Sequence, residues 1–230
     1  MNKLTIIGIV TALLITLCGC SGNVDNNKPN FDVVGSNVAV VGDETGYSIL
    51  LAFEVSNSTN SPLYLKKSDF DIVDENGTVI DTIRSVSAYP PIIEPKKTSV
   101  YYGEKVSDKI SDVSVNVKAI PHIKSEKTNT KLTTLPTPGS GMNGVFVRNS
   151  HKNKEYENVQ VVIICRNQND KITGVLTTRI DSIKPGEEIE AIPEGRLIEK
   201  DLDPMGGGKR SFFAYIEPYD RGNVEEGLKQ

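Results

Sequence analysis

One thiol, two imidazoles and one run of carboxylates are the side chains of this chain best equipped for chemistry. Cys165 would serve as a nucleophile or redox centre if a base lay beside it. Instead it continues Val159, Val161 and Ile163 at every second position, the pattern of a strand's buried face. A free cysteine in that setting behaves as a small apolar residue. His122 follows Pro121, and His151 sits in the polar stretch from Ser150 to Asn153. With no Cys-x-x-Cys and no His-x-x-x-His they fall short of a zinc set, and both are expected in solvated loops. Asp69, Asp71, Asp74 and Glu75 offer hard oxygen ligands for calcium, but their spacing is not that of an EF-hand loop. Asp69 and Asp71 are expected on the solvent face opposite Phe70 and Ile72.

Gly206-Gly207-Gly208-Lys209-Arg210-Ser211 invites comparison with a phosphate-binding loop. Such a loop needs Gly five residues before the Gly-Lys pair, where Asp203 stands, and Ser or Thr directly after it, where Arg210 stands. A hairpin loop spanning 203–210 is the simpler reading, and it is the first choice for a partner contact in the second half. Tyr89-Pro90-Pro91 with Tyr101 and Tyr102 reads equally as a small exposed aromatic patch or as corner packing. No Gly-x-Ser-x-Gly elbow and no Ser/His/Asp set is present. No catalytic, cofactor or metal residue is therefore assigned. Dispersed carboxylates such as Asp69 and Glu187 are the route to an enzyme that stays open.

The one residue whose chemistry is strongly marked is Cys20. Lys3 precedes an uncharged run of 14 residues, Leu4 to Leu17, which ends in Leu17-Cys18-Gly19-Cys20-Ser21. A short basic start, an apolar run below the roughly 20 residues of a spanning helix, and small residues at its end make a secretory signal. The last residues resemble a bacterial lipobox, in which cleavage precedes a cysteine that already carries diacylglycerol. The resemblance implies that 1–19 is a lipoprotein signal peptide and that Cys20 is the lipidated mature N-terminus. Two acyl chains give stable attachment without any further hydrophobic segment. The expected location is the extracytoplasmic face of a bacterial cell membrane.

Without Lys3 the chain holds 25 Lys+Arg against 30 Asp+Glu, from totals of 26 and 30. That acidic balance argues against nucleic acid or an anionic headgroup surface as the main partner. Trp is absent and aromatics are 6%, so stacking readers of sugars or bases lack their usual equipment. Cys18 leaves with the signal and Cys20 is lipidated, so Cys165 has no partner for an internal disulfide.

Residues 20–30 hold one apolar side chain after the cysteine among turn-formers and read as a stalk. From Phe31 onward, short alternating strands replace any sustained helical period. Leu51, Phe53 and Val55 form one such face. Phe70 and Ile72 form another, and Val113, Val115, Val117 and Ala119 a third. Val145-Phe146-Val147, Val159 to Cys165 and Phe212 to Ile216 are the counterparts in the second half. Asp74-Glu75-Asn76-Gly77 reads as a hairpin turn.

The two halves look like one unit used twice. Asn57 and Asn149 each close a strand, 92 residues apart. At the same offset Tyr64 meets Tyr156, Phe70 meets Val162, Ile72 meets Ile164 and Ile80 meets Ile172. Ile93-Glu94-Pro95 and Ile183-Lys184-Pro185 match at 90, and the last strands, from Val115 and from Phe212, at about 97. The expected domains are 31–121 and 131–222, with a linker at 122–130 and a tail at 223–230. Lys131 to Leu135 would open the second domain, as Val38 to Val41 would open the first.

These features resemble the FxLYD family and its neighbours, immunoglobulin-like domains of bacterial exported lipoproteins. Phe70-Asp71-Ile72-Val73-Asp74 stands for the name-giving stretch, with Ile for Leu and Val for Tyr. The strand-ending Asn57, the turn Glu75-Asn76-Gly77 and the corner Ile183-Lys184-Pro185-Gly186-Glu187 complete the likeness. The resemblance implies an all-β chain of two tandem antiparallel immunoglobulin-like β-sandwiches, and it carries over no catalytic residue. The expected function is non-enzymatic binding of a protein or envelope component, with an edge strand as one docking element. A structural spacer or assembly subunit of an envelope complex is the alternative.

Overall fold

The computed structural model describes residues 30–43, 46–107, 113–117, 120–125, 131–137, 144–198 and 208–216. The expected signal peptide with Cys20, the expected stalk up to its last residue, most of the 203–210 loop and the 223–230 tail lie outside them. Among the described residues there is no helix, and every strand pairing is antiparallel. The chain divides into two compact units at Glu126/Lys127.

Unit 1 contains β1 (Phe31–Asp43), β2 (Gly46–Asn57), β3 (Leu63–Leu65), β4 (Ser68–Val73), β5 (Val79–Tyr89), β6 (Ile92–Ile93), β7 (Thr98–Ser107), β8 (Ser114–Val117) and β9 (His122–Lys124). Thus His122–Lys124, expected in the linker, is a strand, and it pairs with β3. The strands order as β1-β2-β7-β5-β4-β8 and as β6-β3-β9. The second order repeats β5-β4-β8, so three long strands are each divided in two. Pro90, Pro91 and Pro121 stand at two of the breaks, where a residue without an N–H cannot carry the ladder. Leu65 N–H donates to Pro91 O and Lys66 N–H to Pro121 O, which ties the halves together across the interruption. β5 also changes partners. Its Phe70-facing part pairs with β4, while Ser87 to Tyr89 pair with β7.

The core of unit 1 follows from strand alternation. Ile49, Leu51, Phe53 and Val55 of β2 face Phe70 and Ile72 of β4, Ile83 and Val86 of β5 and Val117 of β8. Phe70 sits between Phe53 and Tyr101, with ring centroids 5.5 and 5.4 Å away. Tyr101, one of the residues considered for an exposed patch, is fully buried here. Its hydroxyl donates to Lys66 O at 2.9 Å, which satisfies a carbonyl at the break between β3 and β4.

Unit 2 contains β10 (Leu132–Pro136), β11 (Val145–Asn149), β12 (Tyr156–Arg166), β13 (Ile172–Ile183), β14 (Glu188–Ala191) and β15 (Lys209–Ile216). They form two three-stranded sheets, β10-β11-β14 and β13-β12-β15. Val145, Val147 and Ala191 from the first sheet pack on Tyr156, Val159, Val161, Ile180 and Ile183 from the second. The arrangement is sandwich-like. The edges of the second sheet are occupied. β10 lies beside β15, where Thr134 Oγ1 donates to Phe212 O at 3.3 Å. On the far side, Glu194 and Leu197 bridge to Thr177 and Gly174 of β13.

The units share one strand plan. In chain order, β1, β2 and β7 correspond to β10, β11 and β14, while β4, β5 and β8 with their lower halves correspond to β12, β13 and β15. The offsets differ from the sequence alignment by small amounts. Leu63 pairs with Ile93 as Tyr156 pairs with Ile183, so Leu63 and not Tyr64 is the counterpart of Tyr156. Likewise Phe70 corresponds to Ile163 and Ile72 to Cys165, an offset of 93. Val117 opposes Phe70 as Phe212 opposes Ile163, which puts the last strands at 95. A register error of one residue exchanges the two faces of a strand, so the correction makes Ile163 and Cys165, not Val162 and Ile164, the counterparts of Phe70 and Ile72.

Candidate functional site

Among the described residues, the side chains able to do chemistry converge on no common centre. Instead, they hold turns. Asn57 and Asn149 are both fully buried. Asn57 Nδ2 donates to Ser61 O at 2.8 Å and Ile93 O at 2.9 Å, while its Oδ1 accepts from Thr59 N–H at 2.9 Å and Thr59 Oγ1 at 2.7 Å. Asn149 Nδ2 donates to Lys154 O at 2.8 Å and Ile183 O at 3.1 Å, and its Oδ1 accepts from His151 N–H at 2.9 Å. The backbone around them matches as well. Asn57 N–H donates to Lys97 O and Asn149 N–H to Glu187 O. Lys96 N–H donates to Asn57 O and Gly186 N–H to Asn149 O. Each unit therefore pins the end of its second strand to the turn before its fifth through one amide side chain.

The hairpin after Phe70 is also duplicated. Asp74 Oδ1 accepts from Asn76 N–H at 2.9 Å and Thr78 N–H at 2.8 Å. Asn167 Oδ1 accepts from Asn169 N–H at 3.0 Å and Lys171 N–H at 3.1 Å. This is the Asx turn, in which a short polar side chain stands in for a backbone acceptor.

Both turns need a residue with positive φ, and each unit supplies glycine at only one of them. At the hairpin φ is 77° for Gly77 and 63° for Asp170. At the corner it is 62° for Lys96 and 76° for Gly186. A Cβ in this region collides with the backbone, and Asp tolerates it better than Lys. Lys96→Gly is therefore expected to stabilise unit 1 by roughly 0.5–1 kcal/mol after the entropy cost of glycine, read as a rise in melting temperature. Asp170→Gly is expected to gain less.

The carboxylates of the acidic run are similarly engaged. Asp69 Oδ1 accepts from Ser85 N–H at 2.8 Å, where φ of Ser85 is 55°. Asp71, expected on a solvent face, is only 5% exposed, and its Oδ1 accepts from Thr82 Oγ1 at 2.9 Å. β4 lies between β5 and β8, so cross-strand neighbours Thr82 and Asn116 flank Asp71. Asp81, on the other side of Thr82, pairs with Lys105. Among the described residues no group of three or more His, Cys, Asp or Glu is placed to hold a metal ion. Asp69 and Glu187 belong to different units. Glu187 Oε2 accepts from Lys184 N–H at 2.7 Å in its own corner turn.

His122 is not a loop residue. It lies on β9, edge-on to Phe31 at 5.3 Å between centroids. Its Nδ1 bonds Ile120 O at 3.0 Å and its Nε2 pairs with Asn30 Nδ2 at 2.8 Å. The carbonyl fixes the proton on Nδ1, leaving Nε2 to accept from the amide. His151 does lie in a turn, where its Nδ1 accepts from Asn153 N–H at 3.2 Å.

Cys165 packs with Ile163 and Leu176 in a satellite cluster of unit 2. Burial pushes its thiol up, and Arg210, its cross-strand partner, only partly opposes that. A thiol held protonated in this way is a poor nucleophile. Of the 203–210 loop, the described part is Gly208 and the start of β15, where Lys209 Nζ meets Asp170 Oδ1 at 3.3 Å between two exposed side chains. Such an ion pair contributes little to stability.

The buried asparagines were legible as a repeated strand-closing residue, but their bonding was not. The signal that pointed to it was the pairing of Asn57 with Ile93 and of Asn149 with Ile183 at nearly constant spacing. No family model matches this chain, and no curated protein matches it either.

Proposed function

We propose that the protein is a lipid-anchored, extracytoplasmic lipoprotein of a bacterial membrane that presents two immunoglobulin-like modules for non-catalytic binding of a protein or envelope component. The anchor is Cys20. The immunoglobulin-like reading is supported by strand order. With strands lettered along each unit, unit 2 runs A-B-E and C′-C-F as two sheets and unit 1 runs A-B-E-C′-C-F through the β7–β5 pairing, the order of that fold without its last strand.

The observation that carries the non-catalytic reading is the engagement of the reactive side chains. Asp69, Asp74, Glu187 and the buried asparagines each accept a backbone N–H of their own unit, and His122 is bonded through both ring nitrogens. A general acid or base must be available to a substrate proton, and an oxygen that already accepts a backbone N–H is less so. Replacing Cys20→Ser is expected to move the protein from the membrane fraction to the soluble fraction while leaving the melting temperatures of both units unchanged. Retention in the membrane would refute the anchor. Hydrolysis by the purified protein that disappears with a single carboxylate substitution would refute the non-catalytic reading.

A further inference from the structure

In unit 1 the lower half of the second sheet presents an apolar row on its outer face. Leu63 and Leu65 of β3 point into the core, so Tyr64 points out. Tyr64 is paired with Ile92 of β6 on one side and with Ile123 of β9 on the other. Ile123 is 46% exposed. The row is rimmed by exposed lysines. Lys66, two residues after Tyr64, shares its face, and Lys96 and Lys97 occupy the turn after Ile93. The half-buried Glu94 is the acidic residue in that turn.

The chain enters unit 1 at this place. Ser58 N–H donates to Asn30 O at 3.2 Å, Lys96 Nζ donates to Ser58 O at 2.9 Å, and the Asn30 amide meets His122 next to Ile123. We propose that this face rests on the membrane surface, with Ile92, Tyr64 and Ile123 in the headgroup layer and the ammonium groups of Lys66, Lys96 and Lys97 on anionic phospholipid phosphates. This inference rests on the Cys20 anchor of the preceding section.

Three physical arguments support it. Ten residues separate Cys20 from Asn30, a reach of at most about 35 Å, so the anchored unit stays at high effective concentration over the bilayer. Isoleucine and tyrosine flanked by lysines suit the interface, where rings sit at headgroup depth and lysine stems lie along apolar surface with their charge in water. Local charge also decides the contact, because a headgroup phosphate is screened from acidic side chains beyond a Debye length of about 8–10 Å. The acidic balance of the whole chain therefore does not oppose it.

The test uses the full anchored protein in lipid discs, with a nitroxide on Ile123→Cys or, as a control on the hairpin, on Val79→Cys. Discs of phosphatidylcholine alone are compared with discs containing phosphatidylglycerol. The label at 123 is expected to gain oxygen contact and lose contact with a water-soluble nickel complex several-fold in the anionic discs, while the label at 79 stays unchanged. Changing Lys66, Lys96 and Lys97 to Gln should abolish the difference. A label on Ile92→Cys must reproduce the pattern, which guards against a local disturbance by the first. Equal accessibility at 123 and 79 in both disc types would overturn the proposal and leave the anchor standing. Protein that never associates with discs would overturn the anchor and this inference with it.

Discussion

Asn57→Ala is expected to unfold unit 1 at temperatures where the unaltered protein is intact. The substitution removes four hydrogen bonds and leaves Ile93 O, Ser61 O and Thr59 N–H without that partner in a buried corner. At about 1–3 kcal/mol for each unsatisfied buried group, partly relieved by water at the Ser61 side, the loss is roughly 3 kcal/mol. Whole domains are stable by only about 5–15 kcal/mol, so this is a large fraction. Asn149→Ala should act on unit 2 to a similar extent, through Ile183 O, Lys154 O and His151 N–H.

Asn57→Asp sharpens the expectation. It keeps the shape but turns a donor toward two carbonyls into an acceptor, so the ionised form is disfavoured in the folded state. The folded pKa must then lie above the unfolded value of about 3.9. A carboxyl raised in this way carries no ionisation penalty below that value, and stability falls as pH rises through it. Thermal melts of Asn57→Asp at pH 4 and pH 7 should therefore differ more than those of Asn57→Ala. Identical pH responses would show that the side chain does not donate to Ile93 O and Ser61 O.

Phe70→Ala is the second large effect. Phe70 is fully buried between Phe53 and Tyr101 and lies on β4, which pairs with both β5 and β8. Loss of the ring creates a cavity at the centre of unit 1, with an expected cost of about 3–5 kcal/mol. Phe70→Leu, which keeps more of the volume, should cost markedly less. Because unit 2 has its own core, its unfolding should be unaffected by either substitution. Hydrogen exchange reports the two units separately, with protection lost in β2, β4 and β7 but retained in β12 and β13. Loss of protection in both units together would contradict independent cores.

Strand positions were readable because alternation is a local property of the chain. Val159, Val161, Ile163 and Cys165 share a face by spacing alone, and they do line the interior. The duplication was readable in outline for the same reason, since Asn57 with Ile93 and Asn149 with Ile183 are strong markers. Register was less legible. The loop from Asn149 to Tyr156 is one residue longer than that from Asn57 to Leu63, and an insertion of one residue leaves the hydrophobic pattern nearly unchanged while exchanging faces. Asp71 was misjudged because its burial depends on neighbouring strands. Asp71 alternates with Phe70 and Ile72 as a surface residue would, yet it is covered once β5 and β8 close around it. For Tyr101 the sequence left patch and corner packing equally open, because its partner, Lys66 O, lies 35 residues away in the chain.

The turns show how two related units reach one geometry with different residues. Gly77 and Asp170 occupy the same hairpin position, and Lys96 and Gly186 the same corner position. The hydrogen-bond pattern is retained in each pair, while the cost of a Cβ at positive φ falls on the hairpin in one unit and on the corner in the other. Function, in this account, lies in what the anchored surface presents.

The most direct test of that account is the intact mass of the protein isolated from its membrane, with fragmentation of its N-terminal peptide. The account predicts a chain that begins at Cys20, carries a diacylglyceryl group on the Cys20 sulfur and lacks residues 1–19. A chain that retains Met1, or an unmodified Cys20, would contradict it.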